Sequence, residues 1–187
     1  MLFVRHATSA GMRQARFPAG LAADPSGLAR ARALAGALRD GVRDGVRPDG
    51  RTWTSPARAA RETCAALGLD ARPVAALAEA DHGTWAGAPF AEADPDALAA
   101  WLTDPDAAPH GGESRSALAA RVAAWLGGRP SGVAVCDAGV IRAALAHALG
   151  VGVLAADRID LAPLSTTRLT AAGSGWRVAH VNRKVQV

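Results

Sequence analysis

Short apolar runs alternating with amphipathic segments of ten or more residues predict an α/β protein, a three-layer α/β/α sandwich on a largely parallel central sheet. Two further observations support that class. The runs ending at Val4, Thr54 and Cys136 are followed by chemically capable residues: Arg5-His6, Ser55 with Arg58, and Asp137 with Gly139. In open α/β sheets, sites form outside the C-terminal ends of the strands. The 187 residues are 50% hydrophobic, enough for one domain spanning residues 1–187, and with 4% aromatics its core must be mostly Ala, Leu and Val.

Leu2-Phe3-Val4 reads as a short buried strand. Gly11–Pro25 reads as irregular, broken by Pro18, Gly20 and Pro25. Leu28, Ala31, Leu34, Ala35 and Leu38 share one helical face, so a helix is expected over 28–38, ended by Gly41, Gly45 and Gly50. Thr52–Thr54 is the second strand, and Ser55-Pro56 predicts a helix entry with serine as cap, the helix running from Ala57 to Leu67. An extended segment is expected over 73–77, then a loop with Gly83, Trp85 and Gly87, with Trp85 packing that loop. Helices follow over 96–102, 114–126 and 140–149, with the strand Val133–Cys136 before the last of them. Two strands, 166–170 and 176–182, close the chain.

Charge excludes more than it suggests. The formal net charge is +4, but Lys184 is the single lysine and the arginines are scattered among acids, so no nucleic-acid surface is expected. A modest positive field instead favours a small anionic partner. Arg142 and His147 interrupt the most apolar region, so no membrane span is expected. Cys64 and Cys136 have neither metal-ligand nor redox-pair spacing, and no signal-like segment opens the chain, so the expectation is a cytoplasmic protein with reduced thiols. His82, His110, His147 and His180 have no zinc-site spacing and are expected on the surface or on helix faces; no metal and no cofactor are expected. His82 stands apart, three residues after Glu79 in a loop expected to face the site.

The chemistry centres on His6. An imidazole at a strand end beside a permanently charged arginine can attack an electrophile that carries negative charge, phosphorus above all. The small, polar residues after it, through Ser9 and Gly11, let the backbone turn and expose its N–H groups.

In order along the chain, Val4-Arg5-His6-Ala7, Ser55-Pro56-Ala57-Arg58-Ala59-Ala60-Arg61-Glu62-Thr63, Leu77/Glu79/Gly83/Trp85/Gly87, Gly112-Glu113-Ser114 and Asp137-Ala138-Gly139-Val140-Ile141-Arg142 resemble the blocks of the histidine phosphatase superfamily, the phosphoglycerate-mutase-like proteins. The resemblance implies that fold, with His6 as a nucleophile that becomes phosphohistidine and Glu79 as the acid for the leaving oxygen. It implies Arg5 as a phosphate-binding residue, with Ser9 placed in the same role. Two pocket positions depart from the pattern. Ala59 stands where the family has its second arginine, and Asp137 where it has its second histidine. Arg58 is next to the first and is the expected substitute. Arg142 is expected to pair with Asp137 and neutralise it. Ala7 in place of glycine is a smaller change.

The implied function is a metal-independent phosphomonoesterase acting through a phosphohistidine on a small phosphorylated metabolite. The alternative is a degenerate, weakly active or inactive relative with a binding or regulatory role. A phosphoglycerate mutase is disfavoured, because this short chain offers little insertion to close a pocket over the intermediate.

Overall fold

A computed structural model describes residues 1–43 and 51–185, and Gly45 and Gly50 lie outside them. The elements are β1 (Leu2–Arg5), α1 (Ala10–Arg13), α2 (Pro25–Arg43), β2 (Arg51–Thr54), α3 (Arg58–Ala66), β3 (Arg72–Pro73), α4 (Pro95–Thr103), α5 (Arg115–Gly127), β4 (Gly132–Cys136), α6 (Ala138–Leu149), α7 (Val153–Ala156), β5 (Ser165–Ala172) and β6 (Gly175–Lys184). The strands form one six-stranded sheet in the order β3-β2-β4-β1-β5-β6. β3, β2, β4 and β1 run parallel, while β5 lies antiparallel to β1 and β6 antiparallel to β5.

Strand alternation divides the core into two layers. Leu2, Val4, Val133 and Val135 point to one face of the sheet, where they meet Ala31, Leu34 and Leu38 of α2 and Ala60 and Cys64 of α3. Phe3, Ala134 and Cys136 point to the other, against Leu118, Val122 and Leu126 of α5 and Ile141, Ala144 and Leu145 of α6. Helices on both faces therefore bury the central strands, whose sequences are continuously apolar for that reason.

Several boundaries depart from the sequence reading. α2 runs from Pro25 to Arg43, so Gly41 lies inside a helix. Proline at its start is compatible with a helical first turn. Gly27, in that turn, lies against the residues after β1, where an added Cβ would come within 3.1 Å of the Ala7 methyl and 3.2 Å of the Thr8 nitrogen. Ser55 does not cap α3: its hydroxyl accepts from the Ala57 N–H at 3.2 Å, and the helix begins at Arg58. Only Arg72–Pro73 pairs with the sheet in the segment expected to be extended, because residues 75–77 wind into a 3₁₀ turn that buries Leu77. α1 and α7 are single turns with too few residues to show a period.

The register of β1 and β4, with Arg5 opposite Cys136, brings the next residue of each strand to the same sheet edge. The His6 N–H donates to the Cys136 carbonyl at 3.0 Å, and the Ser55 N–H to that of Val135 at 2.8 Å. Behind this edge the fully buried Ala7 N–H donates to the Thr63 hydroxyl at 3.0 Å, which donates to the Ala59 carbonyl at 2.6 Å. Ala7 keeps a negative φ, so an L residue is unstrained there. Thr63→Val strands the Ala7 amide and is expected to lower unfolding free energy by about 1–3 kcal/mol in urea titration, with Thr63→Ser keeping most of it. Equal losses in both variants would show that packing of the methyl group, and not the hydroxyl, fixes this turn.

Candidate active site

His6 is buried, and both ring nitrogens are engaged. Nδ1 lies 2.6 Å from the carbonyl of Ala7, to which it can only donate. That bond turns Nε2 away from the chain, toward Asp137, whose Oδ1 lies 2.9 Å away. With Nδ1 carrying a proton, the second contact has two forms: an imidazolium donating to a carboxylate, or a protonated carboxyl donating to a neutral ring. Burial pulls the His6 pKa down, but the hydrogen bond to Asp137, that carboxylate's charge and the Ala7 carbonyl outweigh it and leave the value raised. The geometry therefore favours imidazolium and carboxylate.

Asp137 is held by the N-terminus of α6. It occupies the cap position without using its side chain as a cap, and its other oxygen, Oδ2, makes no protein hydrogen bond. The expected pairing with Arg142 is not what the structure contains: Asp137 is spent on His6, and Arg142 Nε donates to the Ile159 carbonyl at 3.0 Å.

Glu79 enters from the loop after β3. Its Oε1 accepts from the Ala80 N–H at 2.9 Å and its Oε2 from the Gly139 N–H at 3.0 Å. Burial, with the charge of Asp137 adding to it, pushes its pKa up to about 7, and the two backbone N–H groups and His6 only partly counter this. A carboxyl poised there can deliver a proton near neutrality. Gly139 makes the approach possible, because a Cβ at that position would fall 2.1 Å from Glu79 Oε1.

A second set of contacts fixes the Glu79 loop. Arg121 of α5 holds the Glu113 carboxylate through Nε at 2.9 Å and Nη2 at 2.6 Å, and its Nη1 donates to the carbonyls of Ala76 and Ala78 at 3.0 and 2.9 Å. Ser114 caps α5 by accepting from the Ala117 N–H at 3.1 Å, as its position before a helix suggested. The loops holding Gly83 and Gly112 cross so closely that a Cβ on either would meet backbone oxygen of the other at 2.1 Å.

These residues open on a cavity of about 600 Å³, lined by Arg5, His6, Ser9, Ala59, Glu79 and Asp137 among others. Six of the seven site residues singled out from sequence are thus brought together. Arg58, the seventh, is not in the lining; its Nε pairs with Glu62 at 2.8 Å on the exposed side of α3. One residue along a helix is about 100° of rotation, and the long side chain does not make up the difference. The phosphate-binding role expected of Arg58 is therefore not supported by its position.

Besides Arg5, three more cations line the cavity: Arg142, which the sequence reading had given only the role of pairing with Asp137, and Arg16 and Arg115, which it missed. Arg142 is near enough to Arg5 and Arg115 to help lower both pKa values, although burial is the larger cause for each. Arg5 donates through Nη1 to the Leu161 carbonyl. Arg115 pairs with Asp157 at 3.0 Å and stacks 3.8 Å above the Trp101 ring. The signal available for Arg115 was that it directly follows Gly112-Glu113-Ser114, one of the blocks that carry the resemblance.

His82 and His110, expected on the surface or on helix faces, are buried, and His82 lines the cavity, as its loop was expected to. Their rings are 5.6 Å apart, in an aromatic cluster with Phe17, Trp85 and Trp101. Burial, with His110 nearby, drops the His82 pKa to about 4, so it stays neutral. Trp85 packs within this cluster, 4.9 Å from the Phe17 ring, as expected. Among the described residues, no group of three or more His, Cys, Asp or Glu side chains is placed to hold a metal ion.

A family model of the histidine phosphatase superfamily (branch 1) matches residues 1–184. The chain belongs to that superfamily. Mycobacterial glucosyl-3-phosphoglycerate phosphatase, solved with VO3, is similar in structure, with 27% identity, a TM-score of 0.81 and 98% of each chain covered. The protein TTHB049 from Thermus thermophilus has 28% identity and a TM-score of 0.71, covering 100% of this chain and 96% of its own. A phosphoserine phosphatase variant from Entamoeba histolytica, solved with phosphoserine, shares the fold alone, at 16% identity and TM-score 0.81 with 97% and 95% covered. No curated protein sequence matches the chain.

Gly139→Ala tests how tightly the site is assembled. The added methyl is expected to displace the Glu79 carboxyl and cost about 1–3 kcal/mol in denaturant unfolding. In a Glu79→Ala background the same change should cost far less, since its partner in the clash is gone. Additive losses would show that Glu79 does not press on Gly139.

Proposed function

We propose that this chain is a phosphomonoesterase that transfers the phosphoryl group of a small phosphorylated metabolite to His6 Nε2 and then to water. The observation that carries the reading is the Ala7 carbonyl on His6 Nδ1, which leaves Nε2 as the nitrogen facing the cavity, beside a Glu79 carboxyl that keeps a proton near pH 7. The similar glucosyl-3-phosphoglycerate phosphatase supports the reaction class.

On substrate entry, the phosphoryl group takes the space in which Asp137 now meets Nε2, and the imidazolium proton leaves with Asp137. The ring lone pair attacks phosphorus. Arg5, with Arg142 beside it, offers permanent charge to the equatorial oxygens, the main source of transition-state stabilisation in phosphoryl transfer. Glu79 protonates the departing alkoxide, then as a carboxylate takes a proton from the water that attacks phosphohistidine. Asp137 and Ala59 hold affinity down, since one must be displaced from His6 Nε2 and the other supplies no donor. The same two residues, with Asp137 bonded to Nε2, favour the second reading, a relative that binds phosphorylated ligands with little turnover.

Hydrolysis of an aryl phosphate in excess chelator is expected to match that without it, and His6→Ala to abolish it. Activity that survives His6→Ala, or that chelator removes, overturns the mechanism. Glu79→Gln should slow alkyl phosphates, whose leaving groups need protonation, at least ~10²-fold more than activated aryl ones; equal losses would make Glu79 structural only.

A further inference from the structure

The cavity is far larger than a phosphate needs, and its size of about 600 Å³ falls in the range of sites that enclose whole drug-sized ligands. Beyond the His6 end its lining includes the apolar side chains of Met12, Phe17, Leu21, Phe90, Leu102 and Val153, beside Arg16, His82, Arg115 and Asp157. Of the five large apolar side chains that stand exposed among the described residues, three line this cavity: Leu21 at 42%, Phe90 at 37% and Leu102 at 54%. Exposed apolar surface gathered at one opening marks a place where apolar surface is to be covered.

Several polar groups on these walls are already committed, while the buried His82 Nδ1 is without a protein hydrogen-bond partner. Arg16 donates to Gln14 Oε1 at 2.9 Å and to the Gly87 carbonyl at 2.8 Å. Arg115 is bound to Asp157 and to the Trp101 carbonyl. The segment carrying the wall is itself fixed. The Phe17 N–H donates to the Ala88 carbonyl and the Phe90 N–H to that of Ala15, both at 3.0 Å, and the Phe17 and Phe90 rings meet at a 54° tilt with centroids 4.2 Å apart. A sugar or amino-acid alcohol would bring hydroxyl, amino or carboxyl groups against walls with few free partners, and stranded polar groups are disfavoured.

We propose that the site selects phosphomonoesters whose alcohol is predominantly apolar, an alkyl or aryl alcohol that fills the cavity from His6 out to Leu21, Phe90 and Leu102. The inference rests on the phosphatase reading of the same site. n-Alkyl phosphates test it, because from ethyl to hexyl the leaving oxygen stays alike while the apolar length grows. kcat/KM is expected to rise about fourfold per methylene, from ~0.8 kcal/mol for each one buried. Hexyl phosphate should exceed glucose 6-phosphate and phosphoserine. Leu102→Asp and Leu21→Asp, changes on exposed side chains that leave the core alone, should each cut the hexyl-to-ethyl ratio about tenfold or more. A flat series, or preference for the sugar or amino-acid ester, overturns the proposal. If no phosphate is hydrolysed, the phosphatase reading fails by itself, and calorimetry with the matching alkylphosphonates decides the inference. Kd falling by the same factor per methylene upholds it, while an unchanged Kd or no binding overturns it.

Discussion

The hydrogen bond between His6 Nε2 and Asp137 Oδ1 is the interaction on which the rest of the site depends. It follows from the parallel register of β1 and β4, in which the residue after each strand emerges at the same edge. Because side chains alternate faces along a strand, a slip of one residue would turn His6 to the other side of the sheet. The deeply buried Phe3, Val4, Ala134 and Val135 make that slip costly, so the core and the site are specified by the same pattern. Thr63 and Gly27 then fit the two helices of one face to the turn after His6, and Gly139 and Arg121 do the same for Glu79 from the other.

Electrostatics make the site unlike a simple anion hole. Asp137 is buried and Glu79 partly buried near one imidazole, and the charge of Asp137 adds to desolvation in keeping a proton on Glu79. Arg5 and Arg142 lie on the same cavity, so a dianionic phosphate would offset both the burial that chiefly lowers the Arg5 pKa and the Arg142 charge that adds to it. On the proposed function, an entering phosphate has to displace Asp137 from His6, so affinity depends on this exchange as well as on the donor missing at Ala59. Arg58 cannot restore the donor missing at Ala59, since it is tied to Glu62 on the far side of α3.

Much of this was legible in the sequence because a few signals are local. Apolar runs of strand length gave β1 and β4, Thr52-Trp53-Thr54 gave β2 by its β-branched and aromatic residues, and the residue types just after them gave His6, Ser55 and Asp137 as one edge. What was not legible depends on distance in space. No pattern in residues 11–25 shows that Phe17 packs against Phe90 and Trp101, or that His82 and His110 are buried by that cluster. The partner of Asp137 could not be read either. Arg142 is five residues away along the chain, whereas His6 reaches Asp137 only through strand pairing. α1 and α7 escaped because a single turn has no periodicity.

The central claim is that Asp137 holds a proton on His6 Nε2, and the most direct measurement is an NMR titration of the His6 ring nitrogens in the parent and in Asp137→Asn. The account predicts a parent midpoint above the ordinary 6.5, with Nδ1 protonated on both sides of it. Asp137→Asn should lower the midpoint to 6.5 or below, because burial remains when the carboxylate is gone. Stability should follow with a fixed sign. A raised native-state pKa gives His6 a stabilising contribution that is complete below 6.5 and is lost as pH rises through the native midpoint, so the variant's deficit should shrink over that interval. A parent midpoint at or below 6.5, or one that Asp137→Asn leaves unmoved, would contradict the account.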